Sequence, residues 1–150
     1  MSAIALKPAV AEDAAHLAEL RVRAMQPSLE AVGRFDPERA RTRFLDSFDS
    51  SVTWHILKGG KPVGVLVLRG KQDHLLLDHL YVEPGSQGQN VGHEVMQYVL
   101  SQARQQGLPV KVGALKSSRS NEFYIRHGFT LVSAAEWDNY YSWEPQQGAA

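Results

Sequence analysis

Between Tyr81 and Met96 the chain reads YVEPGSQGQNVGHEVM, where a proline, three glycines and an asparagine separate an apolar strand-like run from an amphipathic helix-like one. Glycine is entropically costly to order and proline lacks an amide donor, so such a junction serves backbone shape rather than side-chain burial. A strand that ends in a glycine-bearing turn and feeds a helix presents unbonded amides at the helix N-terminus, where the helix dipole also favours negative charge. The chemistry to expect at this junction is anion binding by main chain.

Other residues suited to chemistry are sparser. There is no cysteine, hence no disulfide, thiolate nucleophile or thiolate metal site. The histidines, His16, His55, His74, His79, His93 and His127, include no pair at the spacing of a helical metal site, so no metal is expected. Residues 21 to 43 are rich in arginine: Arg21, Arg23, Arg34, Arg39, Arg41 and Arg43. Their guanidinium groups could hold a carboxylate or phosphate, or could simply solvate a helix face. Trp137, Tyr140, Tyr141 and Trp143 could line a pocket for an apolar or cationic amine, or fill strand positions and a dimer contact.

The elements that must position these groups are legible in outline. Residues 4 to 10, IALKPAV, read as an edge strand that tolerates Pro8. AEDAAHLAELRVRAM puts Ala14, Leu17, Leu20 and Ala24 on one helical face, with a kink or break expected near Pro27. A second helix begins with Asp36 as N-cap and Pro37 in its first turn, burying Ala40, Phe44, Leu45 and Phe48. SVTWHILKGGKPVGVLVLRG reads as a hairpin turning at Gly59, Gly60 and Lys61, and residues 74 to 82, apolar on both parities, as a central strand. After the quoted junction a helix buries Val95, Met96, Val99, Leu100 and Ala103, with Glu94, Gln97, Ser101 and Arg104 opposite, and stops at Gly107 and Pro109. PVKVGAL is a further strand, SNEFYIRHG a short helix ending at Gly128, and FTLVSAAEWDNYYSWE a final strand pair or one bent strand.

With 150 residues and no repeat or linker, one domain over residues 1 to 150 is expected, with a loose tail from about 146. Strands before and after helices, with an antiparallel hairpin between, predict a mixed α/β (α+β) sheet with helices on its faces. Lysine plus arginine balance aspartate plus glutamate at 16 each, so no global field draws the chain to nucleic acid or to a membrane surface. No apolar run approaches a bilayer span and MSAIALKPAV lacks the pattern of a signal peptide, so a cytoplasmic protein is expected.

Gln87-Gly88-Gln89-Asn90-Val91-Gly92 resembles the pyrophosphate-binding signature of the GNAT superfamily of acetyl-CoA-dependent N-acetyltransferases, Gln or Arg followed by x-x-Gly-x-Gly or Ala. Upstream, LDHLYVEP is similar to the superfamily's central strand, and downstream NEFYIRHGF is similar to its Phe-Tyr-x-x-x-Gly-Phe element; together they cover residues 74 to 130. The resemblance implies a single mostly antiparallel sheet of six or seven strands with a splayed central pair, and acetyl-CoA as co-substrate. Amides of Gln87 to His93 would then meet the pyrophosphate, with Gly88 and Gly92 allowing close approach. Asn90 stands where the signature has its first glycine, and asparagine is among the few residues that tolerate a left-handed backbone. Many relatives carry a cofactor-contacting Asn seven residues before the position of Tyr124; here Ser117 stands there, with Asn121 nearby.

Acetyl transfer needs a neutral amine, yet a lysine-like amine with a pKa near ~10.4 is almost wholly protonated at pH 7, a deficit of roughly 4.6 kcal/mol. A base or a desolvating pocket must offset it. Asp78 and His79 occupy positions where some relatives carry an acidic pair that handles substrate, and in a regular strand they face opposite sides. Tyr124 resembles the superfamily's usual proton donor to the departing thiolate, and the backbone of Leu80, Tyr81 and Val82 is where the acetyl carbonyl and pantetheine arm would lie. The leading expectation is direct acetyl transfer to a primary amine of a small molecule; the alternatives are a protein or peptide acetyltransferase and a non-catalytic acyl-CoA-binding module. A homodimer is compatible with the tyrosine-rich late strand.

Overall fold

The computed structural model describes residues 4–145, so the expected loose tail, Gln146–Ala150, lies outside the described residues. Seven strands form one sheet in the order β1-β2-β3-β4-β5-β7-β6. In chain order the elements are β1 (Ile4–Pro8), α1 (Ala14–Ala31), α2 (Pro37–Asp46), β2 (Thr53–Lys58), β3 (Lys61–Gly70), β4 (Leu75–Val82), α3 (Val91–Gln106), β5 (Val110–Leu115), α4 (Ser120–Arg126), β6 (Thr130–Ala134) and β7 (Asp138–Trp143). The β1/β2, β2/β3, β5/β7 and β6/β7 pairs are antiparallel, whereas β4 and β5 pair in parallel. This mixed, mostly antiparallel sheet matches the predicted fold class. The chain divides into two compact units, one holding the described residues to Val67 with His79–Val95, the other Leu68–Asp78 with the described residues from Met96 onward.

In the first unit the edge strand β1 accommodates Pro8 opposite Trp54. The β2–β3 hairpin turns through Gly59 and Gly60 at φ +58° and +79°, the left-handed pair of a type I′ turn. Of the kink or break expected near Pro27, the break does not occur: helix α1 continues through Pro27 to Ala31. A proline inside a helix removes one ladder bond and crowds the preceding turn, at a cost of about 3 kcal/mol. Packing of α1 on α2, invisible to a local reading, outweighs that cost. The start of α2 is as expected, with the Asp36 carboxylate accepting the Arg39 amide hydrogen bond at 3.2 Å. Its apolar stripe is narrower than predicted, because Leu45 is 39% exposed while Ala40 and Phe44 are buried. At 100° per residue, Leu45 turns out of the stripe that Ala40 and Phe44 define. The core here comprises Ala9, Leu17, Ala18, Leu20, Phe44, Val65 and Val67, with Phe48 and Tyr81 packed against it. Full burial of a side chain such as Leu17 or Phe44 contributes about 1.5–3 kcal/mol.

In the second unit β5 alternates buried Val110, Val112 and Ala114 with exposed Lys111 and Gly113, the period of a half-buried strand. Met96, Val99, Leu100 and Ala103 of α3 are buried as the spacing requires. The helix stops at Gly107, φ +67°. The parallel β4/β5 ladder is short, running from Leu75↔Val110 to Leu77↔Val112, while β4 continues to Val82 and β5 to Leu115. The final segment is a true strand pair, β6 and β7. Of the four aromatics from Trp137 to Trp143, Tyr141 and Trp143 fill the core while Trp137 and Tyr140 are exposed. No described helix is long and apolar enough to cross a membrane.

Candidate functional site

The junction after β4 is a tight turn whose amides from Gly88 to Asn90 have no acceptor among the described residues. A single 3-10 turn, Pro84–Ser86, follows Glu83 and leads into Gln87, whose side-chain amide donates to the Val82 carbonyl at 3.1 Å. Gly88 then adopts φ +82° and Asn90 φ +66°, the latter being the one left-handed non-glycine among the described residues. Alternating left-handed positions in a tight turn point successive N–H groups the same way, which makes an anion-binding concavity. No described acceptor takes the amides of Gly88, Gln89 or Asn90, and those of Val91 and Gly92 fall in the first turn of α3, where the helix supplies none. A Cβ at Gly88 would meet nothing within 4 Å, so the turn opens outward there. Lys58 reaches the loop from β2, donating to the Gln89 carbonyl at 3.0 Å. Exposed His93 stands in the same first turn.

Glu83, at the head of the turn, is held by a two-point ion pair from Arg23 of α1, at 3.0 and 2.6 Å. That hydrogen bond raises the Arg23 pKa above its ordinary value. The last residues of β4 carry a second network. The Tyr81 hydroxyl lies 2.9 Å from His79 Nδ1 and accepts a hydrogen bond from Arg21 Nε at 3.0 Å, while Arg21 Nη1 donates to the Ala40 carbonyl of α2 at 2.7 Å. The Phe44 ring packs 5.2 Å from His79 and the Arg21 guanidinium lies 5.8 Å from the Tyr81 ring centre. His79 and Tyr81 share a face because they are two residues apart on a strand. Asp78 belongs to the opposite parity and is paired with Arg69 of β3 at 2.8 Å.

In the second unit Tyr124 is buried on α4, packed against the rings of Phe123, Phe129 and Tyr141. Ser117 is exposed in the turn after β5. Asn121 is occupied within the fold: its Nδ2 donates to the carbonyls of Leu115 and Ser118, both at 2.9 Å, and its Oδ1 accepts from the Tyr141 hydroxyl at 2.7 Å and from Asn139 at 3.0 Å. Its side chain ties β5, α4 and β7 together. His127 closes α4, its Nδ1 bonded to the Phe123 carbonyl at 2.7 Å.

The side-chain roles of Tyr81, Arg21, Arg69 and Glu83 were not singled out by sequence reasoning, which named Tyr81 for its backbone and Arg21 as one of six arginines. A signal existed for two of them. Tyr81 shares parity with His79, and Arg21 lies one helical turn beyond Leu17 on the apolar face of α1.

The family model described as an acetyltransferase (GNAT) domain matches residues 11–145. No curated protein matches the chain. Among solved structures, the chain is similar to PaiA N-acetyltransferase from Thermoplasma acidophilum in complex with coenzyme A, at 14% identity and a TM-score of 0.78 over 96% of this chain and 99% of that one. It is similar to a GCN5-related N-acetyltransferase from Rhodopseudomonas palustris, at 24% identity and 0.76 over 96% and 97%. The ribosomal-protein-S18-alanine N-acetyltransferase from Escherichia coli aligns at 12% identity and 0.71 over 97% of each chain.

Proposed function

The chain belongs to the GNAT acetyltransferase family and is an acetyl-CoA-dependent N-acetyltransferase, and from that premise we propose that it transfers the acetyl group directly to the primary amine of a small molecule. The observation that carries the cofactor half of this reading is the run of amides from Gly88 to Gly92, with left-handed Gly88 and Asn90 turning them together. The pyrophosphate sits on these amides and on the N-terminus of α3, with Lys58 and His93 at its edge. Backbone groups of Leu80, Tyr81 and Val82 align the pantetheine arm and the acetyl carbonyl.

His79 is the base in this reading. Its Nδ1 lies 2.9 Å from the Tyr81 hydroxyl, which accepts from Arg21 Nε, so the ring is held on the face of β4 that the proposed acetyl site uses. Asp78 is less suited, since Arg69 engages its carboxylate. The neutral amine attacks the acetyl carbonyl, the carbon–sulfur bond breaks, Tyr124 gives its phenolic proton to the departing thiolate, and the proton shed by the amide nitrogen passes through water to restore the phenol. With no cysteine in the chain, direct transfer is favoured over a thioester relay.

Calorimetric titration of acetyl-CoA and desulfo-CoA, followed by an amine screen for CoA release, tests the reading. Micromolar binding and release with a small amine are expected. Release only with peptides would make it a peptide acetyltransferase instead.

A further inference from the structure

Six arginines crowd the first two helices, and their surroundings separate them. Arg23 is paired with Glu83, Arg39 with Asp36, and Arg41 with Glu19 and Glu38. These paired side chains remain 30% to 52% exposed, so water already screens them. Arg21 is 7% exposed and has no carboxylate partner among the described residues. This inverts the physical expectation, because a charge removed from water needs a counter-charge far more than one left in it.

The geometry around Arg21 shows where the missing charge belongs. Nε is used by the Tyr81 hydroxyl and Nη1 by the Ala40 carbonyl, which fixes the plane of the guanidinium. Nη2 has no described acceptor, and the one sealed side-chain polar atom lacking a partner among the described residues is Glu94 Oε1, so Nη2 opens to solvent. The Tyr81 hydroxyl joins Arg21 to His79 through bonds of 3.0 and 2.9 Å, so one small molecule reaches both the guanidinium and the proposed base.

We infer that Arg21 binds a carboxylate on the acceptor, which makes the acceptor an amino acid or a closely similar short amine bearing a carboxyl group. This rests on the small-amine reading above and names its substrate class. A monoanion fits better than a phosphate dianion, since Arg21 supplies one uncompensated charge and Arg23 and Arg41 beside it are already neutralised.

The test pairs each proteinogenic amino acid, β-alanine and γ-aminobutyrate with its own carboxamide. Binding to desulfo-CoA-saturated protein is measured by calorimetry, and CoA release is then measured with acetyl-CoA. Wild type is expected to prefer the best carboxylate over its carboxamide by about thirtyfold or more. In Arg21→Gln that preference falls to about threefold or less, with acetyl-CoA affinity unchanged. Should Arg21→Gln fail to fold, Arg21→Lys keeps the charge without the planar fork, and the preference falls about tenfold. Equal binding of carboxylate and carboxamide by wild type, a preference that survives in the folded variant, or no binding of any pair overturns the inference. Release of CoA without carboxylate preference overturns only Arg21, whereas carboxylate binding with no release from any amine overturns the small-amine reading and leaves Arg21 in place.

Discussion

Gly64 of β3 lies so close to the Tyr81 carbonyl of β4 that a Cβ at Gly64 would come within 2.4 Å of that oxygen, and within 3.3 Å of the Val82 Cα. No side chain fits at such a distance from main chain, so the close approach of the two strands depends on this glycine. The same approach is secured one residue to either side by the Glu83 amide donating to the Val63 carbonyl at 2.8 Å. Gly64→Ala must push β4 away at the residues proposed to hold the acetyl group. A stability loss of about 1–3 kcal/mol is expected by urea unfolding, together with weaker acetyl-CoA binding. A variant with unaltered stability and affinity would show that β4 relaxes without consequence.

The turn makes opposite demands at two neighbouring positions. Asn90 holds φ +66°, so Asn90→Gly should be tolerated while Asn90→Val, strained by about 1–2 kcal/mol, should lose cofactor affinity. Gly92→Glu improves the helix locally, because a carboxylate in the first turn suits the helix dipole and glycine is a poor helix former. The variant should therefore fold, yet bring bulk and negative charge to the pyrophosphate. Calorimetry should find acetyl-CoA binding abolished by Gly92→Glu; retained affinity would remove the turn from the cofactor site.

Tyr124→Phe keeps the ring that packs on Phe129 and Tyr141 and removes the hydroxyl alone. Turnover should fall at least about tenfold with acetyl-CoA affinity nearly unchanged, since a proton donor acts on the leaving group and not on the bound cofactor. Steady-state kinetics beside calorimetry separates the two, and unchanged turnover would take Tyr124 out of the chemistry.

Asp13 joins the start of α1 to β2, its carboxylate accepting from the Val10 amide at 2.9 Å and lying 2.8 Å from His55 Nε2. The Val10 amide bond, and next the His55 bond, lower its pKa below the ordinary 3.8. A depressed folded-state pKa means the unfolded chain binds the proton first as pH falls. The stabilisation is therefore complete above pH 3.8 and lost as the pH drops through the lower folded value. Thermal melts of Asp13→Asn should lie below wild type near neutral pH, with the gap closing as the pH falls below 3.8. A gap that persists in stronger acid would assign the effect to packing rather than to charge.

Wherever a boundary depends on neighbouring residues, the sequence was a sound guide. Asp36 and Pro37 start α2, Gly59 and Gly60 turn the hairpin, Gly107 ends α3, and Asn90 takes the left-handed backbone that its place in the signature required. The three elements from LDHLYVEP to NEFYIRHGF likewise led to the family, because a turn made by backbone shape leaves its trace as glycine and asparagine at set spacing.

Tertiary packing decided the rest. Pro27 would end an isolated helix, but α1 has α2 to rest on and runs past it. Trp137, Tyr140, Tyr141 and Trp143 look equivalent in sequence, and only the register of β7 against β5 and β6 turns Tyr141 and Trp143 inward. Nothing near Asn121 in sequence shows that its side-chain amide joins Leu115, Ser118, Asn139 and Tyr141, which come together only in the fold. Arg21 is the sharpest instance. Its neighbours in sequence show an arginine among many, and only the approach of Ala40 and Tyr81 from distant elements buries most of it without supplying an acid. Local sequence determines how a backbone turns; whether a charge is solvated or stranded depends on what the fold brings around it.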